Sequence, residues 1–126
     1  EALYATVGIA REDKAGRQAQ FMQNYAFFDA PHVAFFFLPA GCGVREAADL
    51  GMCAQTFMLA LASMGYGSCP QTSLSFHPDL VRAEFDLAPE SQLLFGVSFG
   101  RIDTTAAVNR VRVPRDLARC TQIRED

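Results

Sequence analysis

The sequence has 126 residues, half of them apolar and 20% charged, with a formal net charge of −3 at pH 7. This length suffices for one domain, 1–126, with a real core, and the composition is typical of a soluble globular protein. The acidic balance argues against a nucleic-acid surface, no apolar run is long enough to cross a membrane, and neither the four cysteines nor the two histidines have zinc-site spacing, so no metal site is expected.

The first elements are helical. The opening EALYATVGI is typical of the end of a helix, and because the chain starts at Glu1 rather than Met, we expect that the front of the domain is missing from it. Residues 11–28 are predicted to form a helix, since four apolar residues recur on one helical face: Ala15, Ala19, Met22 and Ala26. The helix should end before Pro31, because the residue preceding a proline avoids the helical region.

The middle of the chain alternates strand and helix. Residues 33–38, VAFFFL, are short, continuous and aromatic, which predicts a strand buried on both faces. AGCGVREA is read as a loop, and Asp49 is placed to cap a helix at about 50–64. That helix is apolar nearly all round, so we expect it to be covered on more than one side, with Cys53 in the core.

The second half repeats the alternation. After the segment 68–73 comes a short helix with Pro78 in its first turn, and then a buried strand at 93–100. Gly96 within this strand predicts a close approach of backbone. Residues 101–126 carry six arginines and four acids, whereas residues 1–100 carry ten acids and five bases. A sheet with helices packed on it is the natural architecture.

Two features have the chemistry to hold a cofactor. Residues 68–73 are small or polar, which leaves backbone N–H groups accessible and lets Gln71, Thr72 and Ser73 offer hydrogen bonds. Alternatively, this segment is a plain connection between helix and strand. Arg110, Arg112 and Arg115 are spaced so that some of them can converge on a phosphate, or they belong to a solvated tail.

Acid–base catalysis by side chains is not indicated. The sequence shows no convincing nucleophile–base pair and no Walker or GxGxxG loop, so no catalytic side chain is assigned. No His or Lys lies close in sequence to lower the pKa of Cys69. This scarcity points to a bound cofactor as the source of the chemistry.

Six stretches in order resemble the C-terminal part of the nitroreductase family of FMN-dependent enzymes. They are LYATVGIAREDKAGR (3–17), NYAFFDAPH (24–32), DLGMCAQTFMLALASMGYGSCPQ (49–71), HPDLVR (77–82), LLFGVSFGRID (93–103) and NRVRVPR (109–115). The resemblance implies an α+β fold, with a central sheet flanked by helices, and a homodimer with FMN at the subunit interface. The family's N-terminal Arg-Ser-x-Arg-type segment, which grips the FMN phosphate, has no counterpart here.

The resemblance also implies the site residues. Pro70, Gln71 and Thr72 match the segment that passes along the flavin ring, and the Thr72 N–H would face the flavin N5. Arg115 matches the phosphate-binding arginine, with Arg112 as its helper.

The function implied is that of a cytoplasmic FMN-dependent oxidoreductase. It would use NADH or NADPH to reduce a small-molecule electron acceptor such as a nitroaromatic or a quinone. The alternative is a truncated, non-catalytic dimeric module that binds flavin weakly or only interacts with partners. A different reaction on the same scaffold, such as reductive dehalogenation, also remains open.

Overall fold

The computed structural model describes residues 2–112, in which helices and antiparallel strands are mixed. The elements are α1 (Ala2–Thr6), α2 (Lys14–Met22), β1 (His32–Leu38), α3 (Val44–Ser63), β2 (Tyr66–Gln71), α4 (Pro78–Glu84) and β3 (Gln92–Arg101). Three short 3₁₀ turns, Phe27–Asp29, Thr72–Phe76 and Ala107–Arg110, connect or follow them. The predicted α+β class is confirmed, and so are the strands at 33–38 and 93–100 and the short helix that begins at Pro78.

The three strands of the described chain form one antiparallel sheet in the order β1-β3-β2. The central strand β3 holds the core: Val97 is fully buried and Ser98 nearly so. Strand β1 pairs with β3 from His32 opposite Phe99 to Leu38 opposite Gln92, with a bulge after Phe36. Most residues of β1 are only half-buried, since the strand has one neighbour in the described sheet. The prediction that 33–38 is buried on both faces is therefore wrong about the extent of burial.

One face of the sheet is covered by α3. Ala54 and Leu61 are its buried residues, and Phe57 lies between them in helical spacing. The Phe57 ring meets Phe36 of β1 edge-on, with centroids 6.1 Å apart, and Phe99 of β3 at 5.4 Å. Edge-to-face aromatic packing therefore joins the helix to two strands at once.

The other face is covered by short segments. Leu74, in the 3₁₀ turn after β2, packs onto β3 at Gly96, where a Cβ atom would lie 2.5 Å from Leu74 Cδ1. Phe27 and Phe85 both pack edge-on against Phe35 of β1. The sheet thus has helical segments on both sides, as the resemblance implies, and the close approach predicted at Gly96 is confirmed.

The start of α3 corrects the sequence-based prediction. The helix begins at Val44, six residues before the predicted start, and Asp49 lies inside it. Its first turn is capped by the Glu46 carboxylate, which accepts a hydrogen bond from the Gly43 backbone N–H at 2.7 Å. This hydrogen bond lowers the pKa of Glu46, and a carboxylate in the first turn also favours the helix dipole.

The segment predicted as one helix over 11–28 is broken. Helix α2 starts where Asp13 caps the Gly16 N–H at 2.8 Å, and it stops at Met22. Ala15, Ala19 and Met22 do share a face of α2, but all three are exposed. The chain then turns through three consecutive residues with positive φ, which are Phe27, Phe28 and Asp29.

The outer face of α3 is also exposed in the described part of the chain. Val44, Met52 and Leu59 of α3 are each more than half exposed, and so is Met64 directly after the helix. Cys53 is exposed as well, which contradicts its predicted place in the core. Within residues 2–112, no helix is long and apolar enough to span a membrane.

The contact at Gly96 yields a test of the packing. We expect Gly96→Ala to destabilise the fold by about 1–3 kcal/mol, the usual cost of overpacking, because the new methyl group collides with the buried Leu74 side chain. The measurement is chemical denaturation of the single variants Gly96→Ala and Leu74→Ala and of the double variant. A favourable coupling in the double variant confirms the contact, whereas additive effects contradict it.

Candidate functional site

The site predicted at 68–73 spans the end of an edge strand and the start of a 3₁₀ turn. Strand β2 pairs with β3 from Tyr66 opposite Arg101 to Gln71 opposite Gly96. Ser68, Cys69 and Pro70 are exposed. Pro70 lacks an N–H group and is tolerated at an edge strand. Most of this segment is a strand rather than a connection between helix and strand, and its role in holding a cofactor stays a prediction.

Burial changes abruptly where the strand becomes the turn. Gln71 is 3% exposed, Ser73 7% and Leu74 5%, whereas Thr72 between them is exposed. Thr72 is the first residue of the turn Thr72–Phe76, and the opening N–H groups of a helical turn have no partner within it. The fold therefore presents Thr72 to the outside from a backbone that is fixed on both sides.

A partly buried hydrogen bond fixes this backbone from one side. The Gln71 side chain donates from Nε2 to the main-chain oxygen of Asn24 at 3.0 Å and to its Oδ1 at 3.3 Å. Asn24 is itself held, because its Nδ2 donates to the Phe21 carbonyl at 2.8 Å. The end of β2 is thus tied to the turn that follows α2.

Aromatic contacts join the 3₁₀ turn after β2 to the end of α2 and to the turn that follows it. The Phe21 ring stacks on Phe76 with centroids 6.5 Å apart, and Tyr25 lies 5.5 Å from the His77 ring. With Leu74 packed over Gly96, the 3₁₀ turn is held between the sheet and the segment after α2.

The expectation that the side chains of Gln71 and Ser73 offer hydrogen bonds to a ligand needs correction. Both side chains point into the fold, and only Thr72 of the three is exposed. Within residues 2–112, neither Gln71 Oε1 nor Ser73 Oγ has a hydrogen-bond partner. A ligand along this segment would therefore meet its backbone and the Thr72 side chain.

The arginines predicted as a phosphate site are only partly described. Arg112 is exposed and donates from Nη1 to the carbonyls of Asn109 at 3.0 Å and Val111 at 3.3 Å. Arg110 donates to the Thr105 carbonyl at 3.3 Å. Arg115 lies outside the described residues. The predicted convergence of these arginines stays a prediction.

The Cys69 thiol lies beside the predicted site. Desolvation raises the pKa of this thiol, because partial burial disfavours the charged thiolate. Its Sγ lies 4.0 Å from the Pro70 carbonyl oxygen, a weak contact for a thiol donor. A thiol that stays protonated at neutral pH is a poor nucleophile.

A separate open cavity of about 680 Å³ lies between α1 and the start of α2. Its lining includes Tyr4, Ile9 and two arginines. The Arg17 guanidinium lies over the Tyr4 ring, 5.4 Å from its centroid, and donates to the Arg11 carbonyl at 3.2 Å. These contacts hold the α1–α2 loop together. Among residues 2–112, no group of three or more His, Cys, Asp or Glu side chains is placed to hold a metal ion.

Comparisons with known proteins agree on one family. A family model described as "Nitroreductase family" matches residues 2–101. The chain is 49% identical to nitroreductase NfnB of Mycolicibacterium smegmatis over 90% of its own length and 48% of that protein. It is 32% identical to a 4-nitrobenzoate reductase of Pseudomonas putida over 94% of its own length and 52% of that protein. The chain thus spans about half the length of these relatives.

A solved structure is similar throughout the chain. It is a crystal structure of the FMN-dependent nitroreductase NfnB from Mycobacterium smegmatis in complex with NADPH. It superposes with a TM-score of 0.92 at 46% identity, over 98% of this chain and 55% of that one.

The raised pKa of Cys69 gives a prediction about its reactivity. In a variant that keeps Cys69 as its only cysteine, the rate of alkylation by iodoacetamide should rise with pH through a midpoint above about 8.5, the value of a free thiol. The same variant unfolded in urea is the control, and its midpoint should return to the free-thiol value. A folded-state midpoint at or below about 8.5 would contradict the raised pKa of this thiol.

Proposed function

This chain belongs to the nitroreductase family, and from that premise we propose that it acts in an FMN-dependent oxidoreductase. The enzyme takes electrons from NADH or NADPH and passes them to nitroaromatics, quinones or similar small acceptors. The relatives named as an FMN-dependent nitroreductase and a 4-nitrobenzoate reductase support the reaction class. The observation that carries the proposal is the exposed Thr72 at the end of β2, held between the buried Gln71 and Ser73.

The exposed edge fits a flat, polar-edged ring such as that of FMN. Ser68, Cys69 and Pro70 form an open stretch of small side chains, and Thr72 continues it past the end of the strand. In this proposal the backbone of Pro70–Thr72 runs along the flavin ring, and the Thr72 N–H is the donor for the ring nitrogen N5. FMN supplies hydride acceptance and transfer when bound, and the protein supplies orientation and a shaped surface.

The phosphate of FMN needs a cation, and we assign that role to Arg115 with help from Arg112. The exposed position of Arg112 supports its part, since a guanidinium carries five N–H donors and only Nη1 makes the contacts described above. The planar guanidinium matches phosphate geometry better than an ammonium does.

The proposal includes a homodimer. Met52 and Leu59 are seven residues apart on one face of α3 and are both more than half exposed, and an exposed apolar face of this kind marks an association surface. We also propose a cytoplasmic location, because Cys42, Cys53 and Cys69 are free thiols, and thiols in secreted proteins are usually paired.

A non-catalytic dimeric flavin-binding or interaction module is the alternative proposal. The relatives named above do not favour it, because their names are those of reductases. The two proposals predict different outcomes for one assay. Both allow a bound flavin, whereas only the first predicts turnover.

We expect the purified full-length protein to bind FMN, visible as flavin absorption, and to reduce 4-nitrobenzoate or a quinone with NADH or NADPH. Initial-rate plots at several acceptor concentrations should be parallel, because donor and acceptor would use one exposed face in turn. Flavin absorption without turnover would favour the module, and intersecting lines would contradict a shared face.

The phosphate assignment predicts that Arg115→Ala weakens FMN binding by about tenfold or more, the effect of losing a charge-assisted hydrogen bond. Arg119→Ala is the matched control, since it removes the same charge four residues away. FMN titration followed by flavin fluorescence measures both affinities. Equal affinities in the two variants would remove Arg115 from the site.

A further inference from the structure

Gln71 is the residue before Thr72, and its side chain is buried. It is the most buried polar side chain of the segment, and its amide contacts Asn24, 47 residues earlier in the chain. This contact ties together two segments that are far apart in sequence, and its net contribution must exceed the entropy lost in closing the loop between them if it is to stabilise the fold.

The orientation of the Gln71 amide is determined by its surroundings. Nε2 faces two oxygens, the main-chain O and the Oδ1 of Asn24, and its two N–H groups can serve both. With the amide reversed, Oε1 would face these two acceptors instead. The hydrogen-bonding pattern therefore selects Nε2 as the inner donor.

This orientation has a cost. Gln71 Oε1 is buried and has no donor among residues 2–112. Buried polar groups are nearly always paired, and an apolar side chain of similar length would fill the same space without an unpartnered oxygen. What glutamine adds over such a side chain is the hydrogen bond of Nε2.

We propose that Gln71 is a positioning residue, whose hydrogen bond to Asn24 fixes the direction of the Thr72 N–H towards the bound flavin. The proposal rests on the proposed function, because it needs a flavin at Thr72. Gln71 is the residue directly before Thr72, and its Nε2 is bonded to Asn24 in the turn after α2, so the loss of this hydrogen bond would release the backbone next to Thr72. The other side of Thr72 is held by Leu74, which packs over Gly96.

The test replaces Gln71 with methionine, which keeps length and volume and removes the donor. In the full-length protein, we expect Gln71→Met to lower kcat by roughly tenfold, the effect of a hydrogen bond at the upper end of the usual range, with KM for the nicotinamide little changed. The flavin midpoint potential should also shift. A role in stability alone would change the melting temperature and leave the potential of the folded holoenzyme unaltered.

Ser73→Ala is the matched control. It removes a buried hydroxyl from the same turn, and that hydroxyl has no hydrogen-bond partner among the described residues. This variant should keep the wild-type kcat and potential. Asn24→Ala is the second variant, in case Gln71→Met does not fold. It removes the Oδ1 acceptor and leaves the main-chain acceptor, so it should change kcat and potential in the same direction by a smaller amount.

The outcomes separate this proposal from the proposed function. If the wild type binds FMN and turns over while Gln71→Met and Asn24→Ala match Ser73→Ala, the positioning role is overturned and the function stands. If the wild type neither binds FMN nor oxidises NAD(P)H, both are overturned. A potential shift in Gln71→Met or Asn24→Ala, absent from Ser73→Ala, supports the positioning role.

Discussion

The missing side chain at Gly96 is the constraint on which the site depends. Gly96 lies on the central strand, directly opposite Gln71 in the sheet, and Leu74 occupies the space that a Cβ atom would need. The 3₁₀ turn can therefore lie flat on the sheet within three residues of the end of β2. A side chain at this position would have to displace Leu74, the residue that packs the turn onto the sheet.

The two faces of the sheet are stabilised in different ways. On one face the 20-residue helix α3 packs through a single stripe, with Phe57 between Phe36 and Phe99. On the other face there are only short segments, which have little stability as isolated helices and depend on tertiary contacts. The candidate site lies on this second face. Its rigidity comes from contacts between segments far apart in sequence, as precise positioning of a ligand requires.

The sequence predicted the elements better than their ends. A continuous aromatic run predicted β1 and a largely apolar run predicted β3, because strands inside a sheet are apolar along most of their length. The start of α3 was predicted wrongly because the prediction looked for a capping side chain before the apolar run. The helix is instead capped from within its first turn, where the Glu46 carboxylate accepts from the Gly43 N–H. The core position of Cys53 was wrong because the helix is apolar on a face that the described chain leaves exposed.

The sequence predicted which segment forms the candidate site, but not how the side chains of that segment are oriented. Small polar residues at 68–73 indicated an accessible backbone, and the family resemblance pointed to Thr72. That Gln71 faces inward could not be read from the sequence, because its partner Asn24 lies in a segment predicted to be helical. Ser73 is buried because it lies in the 3₁₀ turn Thr72–Phe76, and no pattern in the sequence indicates this burial.

The break in that predicted helix is what makes the Gln71 hydrogen bond possible. In a helix continuing to residue 28, the Asn24 carbonyl would point along the axis and accept from the Phe28 N–H. In the structure the Phe28 N–H bonds to Gln23, and Asn24 O accepts from both Phe27 N–H and Gln71 Nε2. The turn that achieves this uses three positive φ angles, each costing about 1–2 kcal/mol for such residues. The Phe27–Phe35 contact and the Gln71 bond offset part of that cost, so the strained turn and the anchored site depend on each other.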